Sequence, residues 1–170
     1  ECFAGVPAVV YGLFGYSFLV VFSGMRASLL AGGITLGLVM LPIILIGAYE
    51  SLGAVEAKYR EAALALGVSR VYAFRRNVWP KGRGGIVAAI VLAAGHAFGS
   101  AAPVLLTASV VIARSGLDLS SPVMTLPSHL YYLVSEASSL EQAYATALIL
   151  VGLLMTANFS VMLIRNRQER

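Results

Sequence analysis

Few residues in this chain are of a type and spacing that could do chemistry. His96 and Ser100 stand one helical turn apart inside the apolar run 84–112. A polar side chain within such a run faces a cavity or a neighbouring helix. Two readings of the pair stand side by side: polar contacts to a solute crossing a membrane, or a histidine hydrogen-bonded to an adjacent helix. A hydrolase pair would need a group to orient the imidazole and an oxyanion hole, and the run holds no Asp or Glu to supply the first. Cys2 is the only cysteine, which excludes an intrachain disulfide and a cysteine-based zinc site. No G-x-x-x-x-G-K-[ST] pattern occurs, so the chain has no P-loop, and no cofactor bound by the chain itself is expected. Asn158-Phe-Ser160 matches a glycosylation pattern but lies inside the last apolar run, where that chemistry does not reach.

The elements that must position these residues are membrane spans. Of 170 residues, 59% are hydrophobic and 12% charged, with a mean hydropathy of +0.85. A soluble domain carries about twice that share of charge. Runs at 28–48, 84–112 and 143–164 are long and apolar enough to cross a bilayer, which takes about 20 residues of helix. A shorter run at 6–22, broken by Pro7, Gly12 and Gly15, reads as a fourth span or the end of one. The expected fold is therefore all-α, an integral membrane helical bundle with about four spans in a single domain over 1–170. Gly33 and Gly37, and Gly95 and Gly99, fall at the spacing that lets helix backbones approach closely. Pro42 is expected to kink the second span. The chain opens on Glu1 without a signal-peptide pattern, and an N-terminal portion is expected to precede it.

The net charge of +4 does not indicate a nucleic-acid partner, because the basic residues cluster between apolar runs instead of lining a solvated face. Lys58, Arg60, Arg70, Arg75, Arg76, Lys81 and Arg83 fall between the second and third spans, and Arg165, Arg167 and Arg170 follow the last. Basic residues collect on the cytoplasmic side, so a 50–80 loop and both ends are placed inside, and a 113–142 loop, with Asp118, Glu136 and Glu141, outside. In the outer loop Tyr131 and Tyr132 suit the headgroup region, and His129 reads as an interfacial histidine and not as a metal ligand.

The inner loop is far too patterned for a simple turn. Strong helix formers run from Val55 to Leu66, and Tyr59, Ala62, Ala63 and Leu66 fall on one side. Gly67 suits a left-handed cap, a second amphipathic stretch covers Val71 to Asn77, and Pro80 is expected to stop it before the next span. Such a helix–glycine–helix unit could lie on anionic membrane lipid or dock its small-residue face on a soluble partner.

Glu61-Ala62-Ala63, then Gly67 after three residues, then Asn77-Val-Trp-Pro80 after nine, resembles the EAA loop of bacterial ABC importer permeases. Asn77 stands where that family usually has an aliphatic residue, and Trp79 where it has leucine. Ala4–Gly15, Leu30–Leu36 and Pro122–Tyr132 resemble the phosphate importer permeases, in particular the second of their two permease chains. The resemblance implies a type I permease fold of about six spans, of which this chain matches the last four, in a bacterial inner membrane. It implies that Tyr59, Glu61, Ala62, Ala63, Leu66, Gly67, Arg70 and Pro80 form the coupling contact with a separate ATPase. The implied partners are a second permease subunit, an ABC ATPase dimer that holds ATP and Mg, and a periplasmic substrate-binding protein; this chain would not itself be an enzyme. The implied activity is phosphate import by alternating access. In the third span the family usually has Gly-Arg-Ala-x-Gly-Glu-Thr-Ala-Pro, whereas this chain reads Gly95-His-Ala-Phe-Gly-Ser-Ala-Ala-Pro103. Losing Arg and Glu together leaves neither charge alone in a helix centre, where it would cost on the order of 3 kcal/mol. His96, Ser100 and Pro103 are the expected pathway residues. Histidine lacks the fixed charge and two-pronged donor geometry of arginine. An importer for another oxyanion or small solute, or a non-transporting permease acting as a scaffold or sensor, therefore remains open.

Overall fold

A computed structural model describes residues 5–55, 67, 69–109, 118–136 and 139–168. All regular structure among them is helical. Helix α1 (Ala8–Gly15) continues as a wider π-helix over Tyr16–Phe22. Helix α2 spans Leu29–Gly53, α3 Arg70–Ala73, α4 Trp79–Phe98, α5 Ala102–Thr107, α6 Leu126–Ser135 and α7 Leu140–Gln168. Helix α2 and the Leu140–Phe159 part of α7 are long and apolar enough to cross a bilayer by themselves. Their outward residues, among them Leu41, Leu45, Leu148, Met155 and Phe159, are apolar and exposed. Such a surface is unfavourable in water and suits hydrocarbon.

The starts of α2, α3, α6 and α7 are closed by a local hydroxyl, as expected where amides lack an intrahelical partner. Ser28 Oγ accepts from the Ala31 amide at 3.2 Å to open α2. Ser69 does so for Tyr72 at 3.3 Å, and Ser139 for Gln142 at 3.3 Å. The remaining amides at the start of α2 are met from elsewhere in the fold. Ser28, Leu29 and Leu30 donate to the carbonyls of Thr107, Ser121 and Leu119 at 3.1, 2.9 and 3.0 Å. Residues of the 113–142 loop and the end of α5 therefore hold the α2 N-terminus.

Helices α2 and α4 are antiparallel and form the main contact of the bundle. Gly47 lies against the Ala89 methyl, and Gly82 against Leu52, where an added Cβ would come within 2.7 Å of a leucine methyl. Near that end Ser51 Oγ donates to the Gly82 carbonyl at 2.7 Å. At the other end α1, α2 and α5 meet at Gly15, Thr35 and Thr107, both threonines fully buried and bonded to their own helix carbonyls at 2.8 and 2.7 Å. Of the glycines singled out by spacing, Gly95 and Gly99 do meet a neighbour, an added Cβ standing 3.5 Å from Asn158 Oδ1 and 3.7 Å from a Leu154 methyl of α7, whereas among the described residues no atom of another element lies within 4 Å of a Cβ placed on Gly33 or Gly37. Close approach was expected there from the four-residue interval, but the interval does not say which side of α2 meets a neighbour.

Two boundaries depart from the sequence expectation. The run read as one span over 84–112 begins earlier and is broken: α4 ends at Phe98, and α5 starts at Ala102. Pro103 has no amide to donate to the carbonyl four residues back, and its ring crowds that carbonyl, which favours the break seen between Phe98 and Ala102. Residues 110–112 lie outside the described part. Conversely, Pro80 does not stop the preceding helix. Arg70–Ala73, a π turn at Phe74–Val78 and α4 follow one another without a gap. The π turn widens the ladder ahead of Pro80, relieving the ring clash that a tight α-turn would impose. Helix α2 likewise runs from Leu29 to Gly53 through Pro42, which is buried.

Candidate functional site

The residues of the 50–80 loop divide between described and undescribed parts. Tyr59, Glu61, Ala62, Ala63 and Leu66 lie outside the described residues. Gly67 has φ +72, the left-handed conformation that L side chains rarely adopt, and no atom stands within 4 Å of where its Cβ would be. The glycine is needed there for its backbone, not for space. Arg70 opens α3 directly after its cap Ser69, and Pro80 sits in the first turn of α4; both are exposed. From Arg70 to Phe98 the helix is continuous, about 43 Å at 1.5 Å per residue. One rod thus joins the Gly67 corner to the end that carries His96.

His96 lies in the last turn of α4, exposed within this chain, and opens onto a recess of about 440 Å³. The recess is lined by Ile43 of α2, Leu92, Gly95 and His96 of α4, and Leu154 and Asn158 of α7. Ser100 is not among the lining residues. It lies past the helix end, half-buried, its amide bonded to the Ala97 carbonyl at 3.1 Å. The helix break therefore separates a pair that helical spacing would have put on one face. Pro103 is fully buried, with Gly12 of α1 packed so closely that an added Cβ would stand 3.0 Å from Pro103 Cα. No carboxylate lines the recess, so the imidazole has no orienting group of the kind hydrolysis requires.

Asn158 is the residue the sequence argument passed over. Its only signal there was a carboxamide inside a long apolar run, and the match to a glycosylation pattern drew attention away from it. In the fold its amide stands beside Gly95, 3.5 Å from where a Cβ would be. Elsewhere on α7, His129 Nδ1 lies 3.4 Å from Thr146 Oγ1 and ties α6 to α7. Tyr131 and Tyr132 stack edge to face on α6, with centroids 5.9 Å apart.

An all-helical bundle with helices long and apolar enough to cross a bilayer, and a recess between three of them, suits a membrane transport component. The chain belongs to the family of binding-protein-dependent transport system inner membrane components, matched over residues 1–170. It is 34% identical over 162 residues to the phosphate transport system permease protein PstA 2 of Mycobacterium bovis, covering 94% of this chain and 54% of that protein. It is 31% identical to the PstA homolog of Mycoplasma pneumoniae, over 91% of this chain and 25% of that one. It is 29% identical to the probable ABC transporter permease protein YqgI of Bacillus subtilis, over 77% and 49%. The chain spans about half the length, 54%, of the mycobacterial relatives it matches. No solved structure matches it. A permease of this family is a transport component and not itself a catalyst.

Proposed function

We propose that this chain is part of the permease subunit of an ATP-binding-cassette importer that moves inorganic phosphate across a bacterial inner membrane by alternating access. The likeness to the PstA permeases over nearly the whole chain supports the substrate. The observation that carries the mechanism is the continuous helix from Arg70 to Phe98, which begins beside the left-handed Gly67 corner and ends at the His96 recess. A continuous helix can carry a push at one end to a displacement at the other. In this reading a separate ATPase dimer, which holds ATP and Mg, grips the 50–80 loop at Tyr59, Glu61, Ala62, Ala63, Leu66, Gly67 and Arg70. Closure of that dimer tilts the rod and changes which side of the pathway is open. The π turn at Phe74–Val78 is the place where the rod can flex, since such turns weaken the regular ladder.

A second permease subunit completes the pathway, and a periplasmic binding protein delivers the solute to the face that carries the 113–142 loop. Both ends of the chain lie in the cytoplasm, with the basic 70–83 segment at the inner surface beside anionic lipid. The test is uptake of labelled phosphate by the full-length protein with its partner subunits in proteoliposomes. Uptake that needs both ATP and this chain supports the proposal. Failure of uptake in a preparation whose ATPase still binds this chain overturns phosphate as the substrate. The absence of a fixed charge in the recess favours one second reading, an importer for a different small solute; competition by unlabelled solutes in the same assay separates the two.

A further inference from the structure

The Arg70–Phe98 helix carries charge on its outer side that the bundle does not use. No Asp or Glu occurs between Glu61 and Asp118, while Arg70, Arg75, Arg76, Lys81 and Arg83 fall within 14 positions. The π turn at Phe74–Val78 decides how they are grouped. Ala73 and Val78, five positions apart, are both buried, and Gly82, four further on, packs against Leu52. In a regular α-helix of 3.6 residues per turn, positions five apart lie about 140° apart around the axis. The wider turn closes that difference, and it leaves Arg75 and Arg76 on the side away from the bundle, where both are exposed. Arg83 follows about two turns later and is exposed as well. Among the described residues none of these three guanidinium groups has an ion-pair partner. Phe74 and Trp79 flank them in the chain, both exposed, with ring centroids 6.4 Å apart.

The chemistry of this strip limits what covers it. A guanidinium group meets a phosphate through two parallel donors and keeps its charge at any physiological pH. Exposed aromatic rings beside such groups settle at the headgroup level of a bilayer. Arg75 and Arg83 are eight residues apart, about 12 Å along the axis. The headgroup layer is about 5–8 Å deep on each side of a bilayer, and the long arginine stems span the remainder by snorkelling. Beyond the strip, from Ile86 to Ala94, every side chain is apolar, so the cations end where the part of the helix suited to hydrocarbon begins. A soluble acidic partner would match the charge but not that adjoining segment; an anionic phospholipid matches both. We propose that Arg75, Arg76 and Arg83, with Trp79, bind the headgroups of anionic phospholipid and so anchor the helix at its π turn. This rests on the reading of the chain as a permease whose 50–80 loop lies at the cytoplasmic surface, and adds a lipid site to it.

The experiment measures binding of labelled phosphatidylglycerol to the full-length permease complex in neutral detergent micelles, with labelled phosphatidylcholine as the reference. Phosphate uptake is followed separately after reconstitution. Phosphatidylglycerol is expected to bind at least about tenfold more tightly than phosphatidylcholine, and about 0.5 M salt to remove most of the difference. Arg75→Gln combined with Arg76→Gln is expected to lose more than about tenfold in phosphatidylglycerol affinity, roughly fivefold for each arginine, with phosphatidylcholine unchanged. Arg83→Gln supplies an independent variant with about a fivefold loss. Arg26→Gln, an exposed arginine ahead of the opposite end of α2, leaves both lipids unchanged. Each variant keeps a polar side chain at an exposed position, so normal insertion is expected. Equal affinity of the unaltered complex for the two lipids overturns the site. Displacement of phosphatidylglycerol by inorganic phosphate also overturns it, giving the strip to a free anion. A double variant that keeps phosphatidylglycerol but loses the ATPase on co-purification overturns it in favour of an ATPase contact. Uptake reports on the importer reading alone: failed uptake in a complex that still selects phosphatidylglycerol overturns phosphate import and leaves the lipid site standing.

Discussion

Replacing Gly47 by alanine tests the bundle at a close contact between α2 and α4. A Cβ on Gly47 would overlap the methyl of Ala89 and stand 3.6 Å from Ala89 Cα, and Ala89 is itself buried. Carbon atoms rest at about 3.5–4.0 Å, so α2 and α4 must part by roughly 1 Å or more at this point. A gap of about 0.5–1 Å forfeits roughly a quarter to a half of each pairwise attraction along the contact, and overpacking of this kind costs about 1–3 kcal/mol. Alanine also gains about 1 kcal/mol in helix propensity over glycine. Gly33→Ala shares that gain and meets no neighbour, so it is the proper reference. The expected difference between the two variants is therefore about 1–3 kcal/mol, with Gly47→Ala the less stable. Denaturation by SDS in mixed micelles, followed by circular dichroism on the full-length protein, measures it. Adding Ala89→Gly to Gly47→Ala removes the opposing methyl and is expected to recover most of the loss, a coupling that a double-mutant cycle isolates. Equal midpoints for Gly47→Ala and Gly33→Ala would refute the assigned contact.

Three further outcomes are expected. Ser51→Ala removes the 2.7 Å bond to the Gly82 carbonyl and should lower stability by about 0.5–1.5 kcal/mol in the same denaturation assay, with no effect on Gly33 variants. Gly67→Val must hold a β-branched side chain at φ +72; it should insert normally yet hydrolyse ATP with little uptake, whereas Gly67→Asn, which tolerates that conformation, should retain coupling. Normal uptake in the valine variant would remove the corner from the mechanism. His96→Ala should reduce phosphate uptake severalfold at unchanged ATPase binding, measured by co-purification, and unchanged uptake would end its pathway role.

Much of the architecture could be read from residue types alone. Apolar runs of bilayer length mark helices because a backbone in hydrocarbon must satisfy its own hydrogen bonds, and that requirement is local. Gly67 marked a left-handed corner because few other residues tolerate that conformation, and the chain has φ +72 there. The two prolines were harder. Pro80 passes within a continuous helix and Pro103 marks a break, although both lack an amide; the difference lies in the π turn before one and the glycine-led unwinding before the other. The pairing of helix faces was not local at all. A four-residue glycine interval at Gly33 and Gly37 reads the same as one that makes contact, yet the contacts form at Gly47, Gly82 and Gly15. His96 was legible as a polar residue in a span, but its companion in the recess is Asn158, 62 positions away by the numbering and on another helix, and not Ser100. Sequence by itself determined that the chain is helical, which runs are apolar enough for hydrocarbon and that Gly67 turns left-handed, but not that Gly24 and Arg26 do so too. Only tertiary structure decided which faces meet and which polar groups share a recess, because those depend on helix rotation and distance, which no interval along one helix specifies.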